Sequence, residues 1–295
     1  MAVRLGTRGS ALALAQARQV AQRLGEDVEL VEIRTSGDRG SRADKSRFVK
    51  EIEDALLAGE IDLAVHSAKD VPGTLPDGLA IVGVPEREDA RDVLCGAASL
   101  DELPAGASIG TGALRRRSQL LALRPDLDVR ELRGNVDTRL RKLEEGEFDA
   151  IVLAAAGLRR LDRAQAGQPL PLAALTPAPG QGCLALEARR DDAHASELGV
   201  RLTDRPSLTC LTAERALVER LDATCHTPVG AYAELDGDVL RLSAFAGLPD
   251  GSVWIRDARE GSSTDPAGLG SEVGERMLAA GAAELLAEAE QLRVR

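Results

Sequence analysis

Three times between residues 108 and 160 the sequence repeats one device: a short apolar run ends at small or polar residues and opens into an arginine-bearing helical pattern. Ser108-Ile109-Gly110-Thr111-Gly112 leads to Arg115, Arg116 and Arg117. Residues 129–132 end at Arg133-Gly134-Asn135, where Asn135 caps a helix bearing Arg139. Residues 150–153 lead into Ala154-Ala155-Ala156-Gly157-Leu158-Arg159-Arg160. Strands alternating with helices predict an α/β domain whose helices start at the carboxyl ends of its strands. Arginine in a first helical turn opposes the macrodipole at about 0.3 to 1 kcal/mol each. The repetition therefore predicts an anion. Two sources fit: a bound anionic ligand, or nearby acids such as Asp126, Asp128 and Asp137.

The same alternation occurs earlier. Residues 2–6 read as a strand, Thr7-Arg8-Gly9-Ser10 as a loop, and the following residues as a helix to Leu24, with Ser10 as N-cap and Gly25 as stop. Leu12, Val20 and Leu24 form its apolar stripe. The loop's N–H groups, hydroxyl and arginine suit an anion; a capped helix with a solvated arginine is the plainer reading. Residues 28–34 are the next strand, 36–46 a polar loop read as a mobile lid, and 48–57 an amphipathic helix closed by Gly59. The stretch 62–72 is a buried strand that delivers Lys69 and Asp70. Pro72 keeps Val71 extended, so a fixed turn is expected there and not a helix start. Asp70 then sits at the carboxyl edge of a sheet, where open α/β sheets bind ligands; an ordinary surface Lys-Asp pair is the alternative.

Residues 79–84 supply another strand, and 85–92 a charged crossing into a second domain. The Pro/Gly stretch and apolar run of residues 175–186 read as the chain crossing back. Two crossings between doubly wound domains describe a clamshell resembling bacterial solute-binding proteins (type II). The predicted division is 1–85 with 182–200, then 86–178, then an α+β third domain over 205–295. That third domain holds a helix at 208–221, a three-stranded antiparallel meander at 232–235, 239–246 and 252–258, and one long helix over 270–292.

A net charge of −11 argues against nonspecific nucleic-acid binding, which needs a positive surface. No run approaches a membrane span, and Gln16 and Arg18 interrupt the alanine-leucine run before it becomes a signal core. The four cysteines show no C-x-x-C pairing, which predicts a reduced, cytoplasmic chain without a zinc ribbon. Cys95, Cys183 and Cys210 lie in apolar runs. Cys225 instead lies in the Pro- and Gly-bounded loop Ala223-Thr224-Cys225-His226-Thr227-Pro228-Val229-Gly230, the setting of a reactive or modified thiol. No second ligand pair completes a metal site with Cys225 and His226, and no metal is expected. With no long apolar face left over, a monomer is expected.

Gly6-Thr7-Arg8-Gly9-Ser10, His66-Ser67-Ala68-Lys69-Asp70-Val71-Pro72, Thr111-Gly112-Ala113-Leu114-Arg115-Arg116, Leu132-Arg133-Gly134-Asn135, Pro179-Gly180-Gln181-Gly182, and Cys225 with Pro228 and Gly230 resemble, in this order, the motifs of the porphobilinogen deaminase (hydroxymethylbilane synthase) family. The resemblance runs from Arg4 nearly to the C-terminus. It implies two solute-binding-like domains with a cleft, and a third domain carrying a cysteine loop. It implies a dipyrromethane cofactor held by a thioether, for which Cys225 matches the attachment position. It also implies head-to-tail addition of four porphobilinogen molecules with loss of ammonia, then hydrolytic release of linear hydroxymethylbilane.

In that chemistry positive charge develops on pyrrole nitrogen, and one carboxylate can stabilise it and shuttle protons. Asp70 matches the family's catalytic aspartate. Each pyrrole carries acetate and propionate groups. Arg8, Arg115, Arg116, Arg133, Arg139 and Arg160 match the arginines that bind them; Ser10, Ser67, Lys69, Thr111 and Gln181 match neighbouring polar contacts, and Lys45 aligns with a lid lysine. The 37–47 loop is shorter than the family's and lacks its glycine-glycine-lysine-glycine pattern; Ala113 replaces a hydroxyl residue, and Ala223-Thr224 replaces glycines. A noncatalytic anion-binding clamshell of the same fold is the rival reading, along with a cysteine-nucleophile transferase that would need a base oriented at Cys225.

Overall fold

A computed structural model describes residues 2–25, 27–34, 49–224 and 227–294. The chain divides into two compact units, residues 1–88 with 182–209 and residues 89–181 with 210–295.

In the first unit β1 (Val3–Arg8), α1 (Ala11–Leu24), β2 (Val28–Ile33), α2 (Lys50–Leu57), β3 (Leu63–Ser67) and β4 (Leu79–Gly83) follow in order. Ser10 caps α1 with its Oγ accepting from the Ala13 N–H at 3.2 Å, and Gly25 ends the helix in the left-handed region at φ 64°. α1 lays Ala17, Val20 and Leu24 on Leu5, Leu63 and Val65. On another face α2 sets Ile52, Ala55 and Leu56 against Ala64, Ile61 and Leu79.

The second unit contains β5 (Asp92–Cys95), β6 (Ser108–Gly110), α3 (Leu114–Leu123), β7 (Asp128–Arg130), α4 (Val136–Glu144), β8 (Ala150–Ala154), α5 (Ala155–Arg160) and β9 (Gln168–Pro169). The chain returns to the first unit through β10 (Leu184–Arg189) and α6 (Ala193–Leu202), and α7 (Arg205–Arg220) follows. The two five-stranded sheets share one plan. The first runs β2-β1-β3-β10-β4 and the second β7-β6-β8-β5-β9. Three strands are parallel in each, and the fourth, β10 or β5, lies antiparallel beside the third.

β11 (Val229–Asp236), β12 (Val239–Gly247) and β13 (Trp254–Ser262) form a three-stranded antiparallel sheet. Its alternating inner residues Leu240, Leu242, Ala244 and Ala246 pack with α7, α8 (Pro266–Ala279) and α9 (Ala282–Val294). The fold is therefore α/β, with two sheet-and-helix layers of like topology and a small antiparallel sheet.

Three local expectations change. The long helix expected over 270–292 is two, because the chain turns at Gly281 with φ 96°. The segment 85–92, expected to be linker throughout, ends in the buried start of β5. The turn after β3 contains one turn of 3₁₀ helix, Ala68–Asp70, before Val71 returns to extended backbone ahead of Pro72.

Candidate functional site

Because β1 and β3 run parallel in one sheet, their last residues, Arg8 and Ser67, reach the same edge. Ser10 stands there at the start of α1. Ser67 is fixed by Gln16 of α1, whose Nε2 donates to Ser67 Oγ at 2.8 Å. The Ala68 N–H donates to the Cys183 carbonyl at 3.0 Å, and Val71 N–H to the Ala68 carbonyl at 3.2 Å. The turn carrying Lys69 and Asp70 is thus held from α1 on one side and from the start of β10 on the other. Both side chains are half-buried. Arg8, Ser10, Ser67, Lys69 and Asp70 therefore gather at one sheet edge. Gln16, which the sequence offers only as an interruption of the alanine-leucine run, is a supporting residue buried at 4% exposure.

In the second unit the carboxyl edge of β6 and β7 carries Thr111, Arg133 and Arg139. Thr111 is buried, and its Oγ1 accepts from the Ala113 N–H at 3.2 Å. Asn135 caps α4 as expected, its Oδ1 accepting from Thr138 N–H at 2.9 Å. Arg139 Nε donates to the Gly134 carbonyl at 2.7 Å, and exposed Arg133 pairs with Glu131 at 2.7 Å. A Cβ at Gly112 would lie 2.9 Å from the Leu132 carbonyl oxygen and 4.0 Å from Arg139 Nη2. The tight contact is with a backbone oxygen, so the position favours glycine.

Arg115 and Arg116 lie in the first turn of α3, as expected, but each is only 5% exposed, and the anion they face is Asp92. Asp92 receives Arg115 Nη1 at 2.8 Å and Arg116 Nη2 at 2.8 Å. Gln181, 1% exposed, donates through Nε2 to Asp92 Oδ1 at 2.9 Å and to the Ala90 carbonyl at 2.7 Å. Burial alone would raise the Asp92 carboxyl, but the two guanidinium groups hold it well below the usual carboxylate range. The acids suggested by sequence lie elsewhere: Asp126 pairs with Arg124, and Asp128 with Arg130. Asp92 could have been noticed as an acid at the head of the apolar run Val93-Leu94-Cys95. Arg160 and Arg159 occupy the last turn of α5, where they favour the macrodipole; the expected first-turn conflict does not arise there.

Lys45 and Cys225, and the expected lid at 36–46, lie outside the described residues. On either side of Cys225 and His226, Thr227 Oγ1 donates to the Thr224 carbonyl at 2.7 Å. Cys95, Cys183 and Cys210 are buried and in no disulfide, and burial pushes the Cys95 thiol up to about 11. Among the described residues no group of three acidic, histidine or cysteine side chains could hold a metal ion.

This donor set of arginine, lysine, hydroxyl and helix-start N–H groups suits a ligand with several carboxylates, such as dipyrromethane with its acetate and propionate arms. Each strand edge, taken by itself, is thus an α/β sheet edge lined with donors suited to carboxylates. A family model described as porphobilinogen deaminase, dipyromethane cofactor binding domain, matches residues 3–197, and one described as porphobilinogen deaminase, C-terminal domain, matches residues 208–279. A porphobilinogen deaminase of Thermus thermophilus is 50% identical over 294 residues, covering 96% of this chain and 98% of the relative. One of Brevibacillus brevis is 46% identical over 300 residues, covering 97% and 96%. Among solved structures, a periplasmic substrate-binding protein of an ABC transporter from Coxiella burnetii aligns at 15% identity and TM-score 0.42, over 72% of this chain and 96% of that one. That likeness is too distant to bear on function. The chain belongs to the porphobilinogen deaminase family, transferases of tetrapyrrole biosynthesis, and carries that family's dipyrromethane cofactor-binding domain.

Proposed function

We propose that the chain condenses four porphobilinogen molecules head to tail, with loss of ammonia, and releases linear hydroxymethylbilane. The dipyrromethane is joined by a thioether to Cys225 and, when bound, supplies the free pyrrole end to which substrate is added. Thr111, Arg115, Arg116, Arg133, Arg139, Arg160 and Gln181 hold or frame its carboxylates and those of the added units. Arg8, Ser10, Ser67 and Lys69 do the same at the other strand edge, with Lys45 contributing from its loop.

Asp70 is the catalytic carboxylate. It accepts a hydrogen bond from the substrate pyrrole N–H, stabilises the positive charge that develops as the aminomethyl group loses ammonia, and passes protons to and from the reacting centre. The observation that carries this reading is the Lys69–Asp70 turn, braced by Gln16–Ser67 and Ala68–Cys183 at the same edge as Arg8. Bracing of this kind suits a group that must stay aligned through repeated turnovers.

The protein is further read as a cytoplasmic monomer that binds no nucleic acid, in keeping with its acidic charge and unpaired cysteine pattern. No helix among the described residues is long and apolar enough to cross a membrane. Incubation of the purified protein with porphobilinogen tests the reaction. Ammonia and a linear tetrapyrrole should appear in a ratio of about four to one. Tight binding of porphobilinogen with neither product would favour the noncatalytic anion-binding reading.

A further inference from the structure

α2 sets Glu53 over the face of the first sheet on which β3 presents His66 and β10 presents Glu187. Glu53 is 6% exposed, His66 5% and Glu187 0%. In the antiparallel register His66 lies opposite Ala185 and Glu187 opposite Ala64, which makes His66 and Glu187 diagonal neighbours on one face. His66 Nε2 is 3.0 Å from Glu187 Oε2, but the two are not aligned as a hydrogen bond. Both Glu187 oxygens and Glu53 Oε1 are buried without a hydrogen-bond partner among the described residues. Two carboxylates therefore share a buried layer with one imidazole, an arrangement that is costly when both are ionised.

Among the described residues, further charged groups stand around this layer. β4 contributes none. On β10 the Arg189 guanidinium is turned to the far end of α2, donating to the Leu56 and Ile61 carbonyls and pairing with Asp192. α2 itself adds Lys50, Glu51 and Asp54. β2 turns Val31 and Ile33 towards the layer; its Glu29 lies on the same face at the exposed start of the strand, and Glu32 alternates to the other. β1 brings Arg4, which pairs with Asp62, and Arg8, which the strand register carries level with His66. Burial first, then Glu187 and more weakly Asp54, with His66 opposing, together lift the Glu53 carboxyl to about 7.

We propose that Glu53, His66 and Glu187 are positioning residues, a buried cluster in which the proton held by Glu53 spares the layer a second negative charge and so holds the end of β3 with its Lys69–Asp70 turn. His66 immediately precedes Ser67, and Glu187 lies on the strand whose approach, at Cys183, accepts from the Ala68 N–H. The cluster thus grips both chains that frame the turn. Loss of that proton adds a second buried negative charge to the layer, loosens α2 from β3 and β10, and lets the turn drift from its catalytic alignment. This role rests on the reading of Asp70 as the catalytic carboxylate.

The test follows kcat, KM and urea unfolding between about pH 6 and about pH 8.5 for the full-length wild type, Glu53→Gln, Glu187→Gln and His66→Gln. The ratio of kcat in Glu53→Gln to wild type should rise by about threefold or more across that range, with KM unmoved. Its midpoint should lie near the Glu53 value of about 7. The wild-type step should move to lower pH in Glu187→Gln and to higher pH in His66→Gln, a pair of opposite shifts that a packing role would not produce. Glu53→Gln should also resist urea better than wild type at alkaline pH, the gap closing as the medium is acidified. An active enzyme whose kcat ratio stays flat with pH overturns the inference, even if the variants differ in stability. A wild type that makes no tetrapyrrole at any pH overturns instead the reaction on which the positioning role rests, and a stability gap that still follows pH tells the two failures apart.

Discussion

Arg115 Nη1 lies 2.8 Å from Asp92 Oδ2, with the arginine side chain 5% and the aspartate side chain 0% exposed. Arg116 meets the same carboxylate, so one buried anion faces two buried cations. Removing its charge strands both. Asp92→Asn should therefore cost about 3 to 5 kcal/mol of stability, read as a lower urea midpoint. The pH dependence has a definite sign. The folded carboxyl is depressed, so its contribution is complete above the unfolded-state value and is lost only as pH falls through the folded one. The wild-type advantage over Asp92→Asn should hold steady from neutral pH to about pH 5 and shrink only in stronger acid.

The arginines divide by their surroundings. Arg116 is committed to Asp92 and the Val152 carbonyl, whereas the Arg133 side chain is 60% exposed beside Glu131. Arg116→Lys should lower the urea midpoint, because an ammonium cannot reproduce the fork. Arg133→Lys and Arg139→Lys should leave the unfolding free energy within about 0.5 kcal/mol of wild type. They should instead slow elongation and shorten the products, measured by mass spectrometry of the enzyme during turnover.

Asp70 is half-buried at its strand edge, where Asn keeps the shape of the side chain and removes its charge. Asp70→Asn should keep the thermal midpoint close to that of the wild type and reduce tetrapyrrole formation by a factor on the order of 100 to 10,000. Circular dichroism and a product assay on one preparation check both halves. Near-normal turnover would remove Asp70 from the chemistry.

The approach of α6 to β4 gives a purely structural prediction. A Cβ on Gly83 would stand 2.4 Å from the Gly199 carbonyl oxygen, a backbone atom that cannot swing away. Gly83→Ala should cost about 1 to 3 kcal/mol, measured by urea unfolding, with KM for porphobilinogen unchanged.

Much of this was legible in the sequence because local rules decided it. Ser10 and Asn135 cap their helices, Gly25 stops α1, and the apolar runs ending at Arg8, Ser67 and Gly110 become strands whose ends carry the polar residues. Period and capping carry no information about partners distant in sequence, and the misses are of that kind. Asp92 meets Arg115 and Gln181 across 23 and 89 residues. His66 meets Glu187 across more than a hundred. The alanine-rich C-terminal stretch reads as one helix because its composition favours helix throughout; the break depends on the single left-handed residue Gly281.

The most direct measurement is the intact mass of the purified wild type beside Cys225→Ser. The account predicts a covalent increment of two pyrrole units on the wild type and none on the variant. An unmodified wild type that porphobilinogen also fails to prime would contradict it, as would an increment that survives in Cys225→Ser.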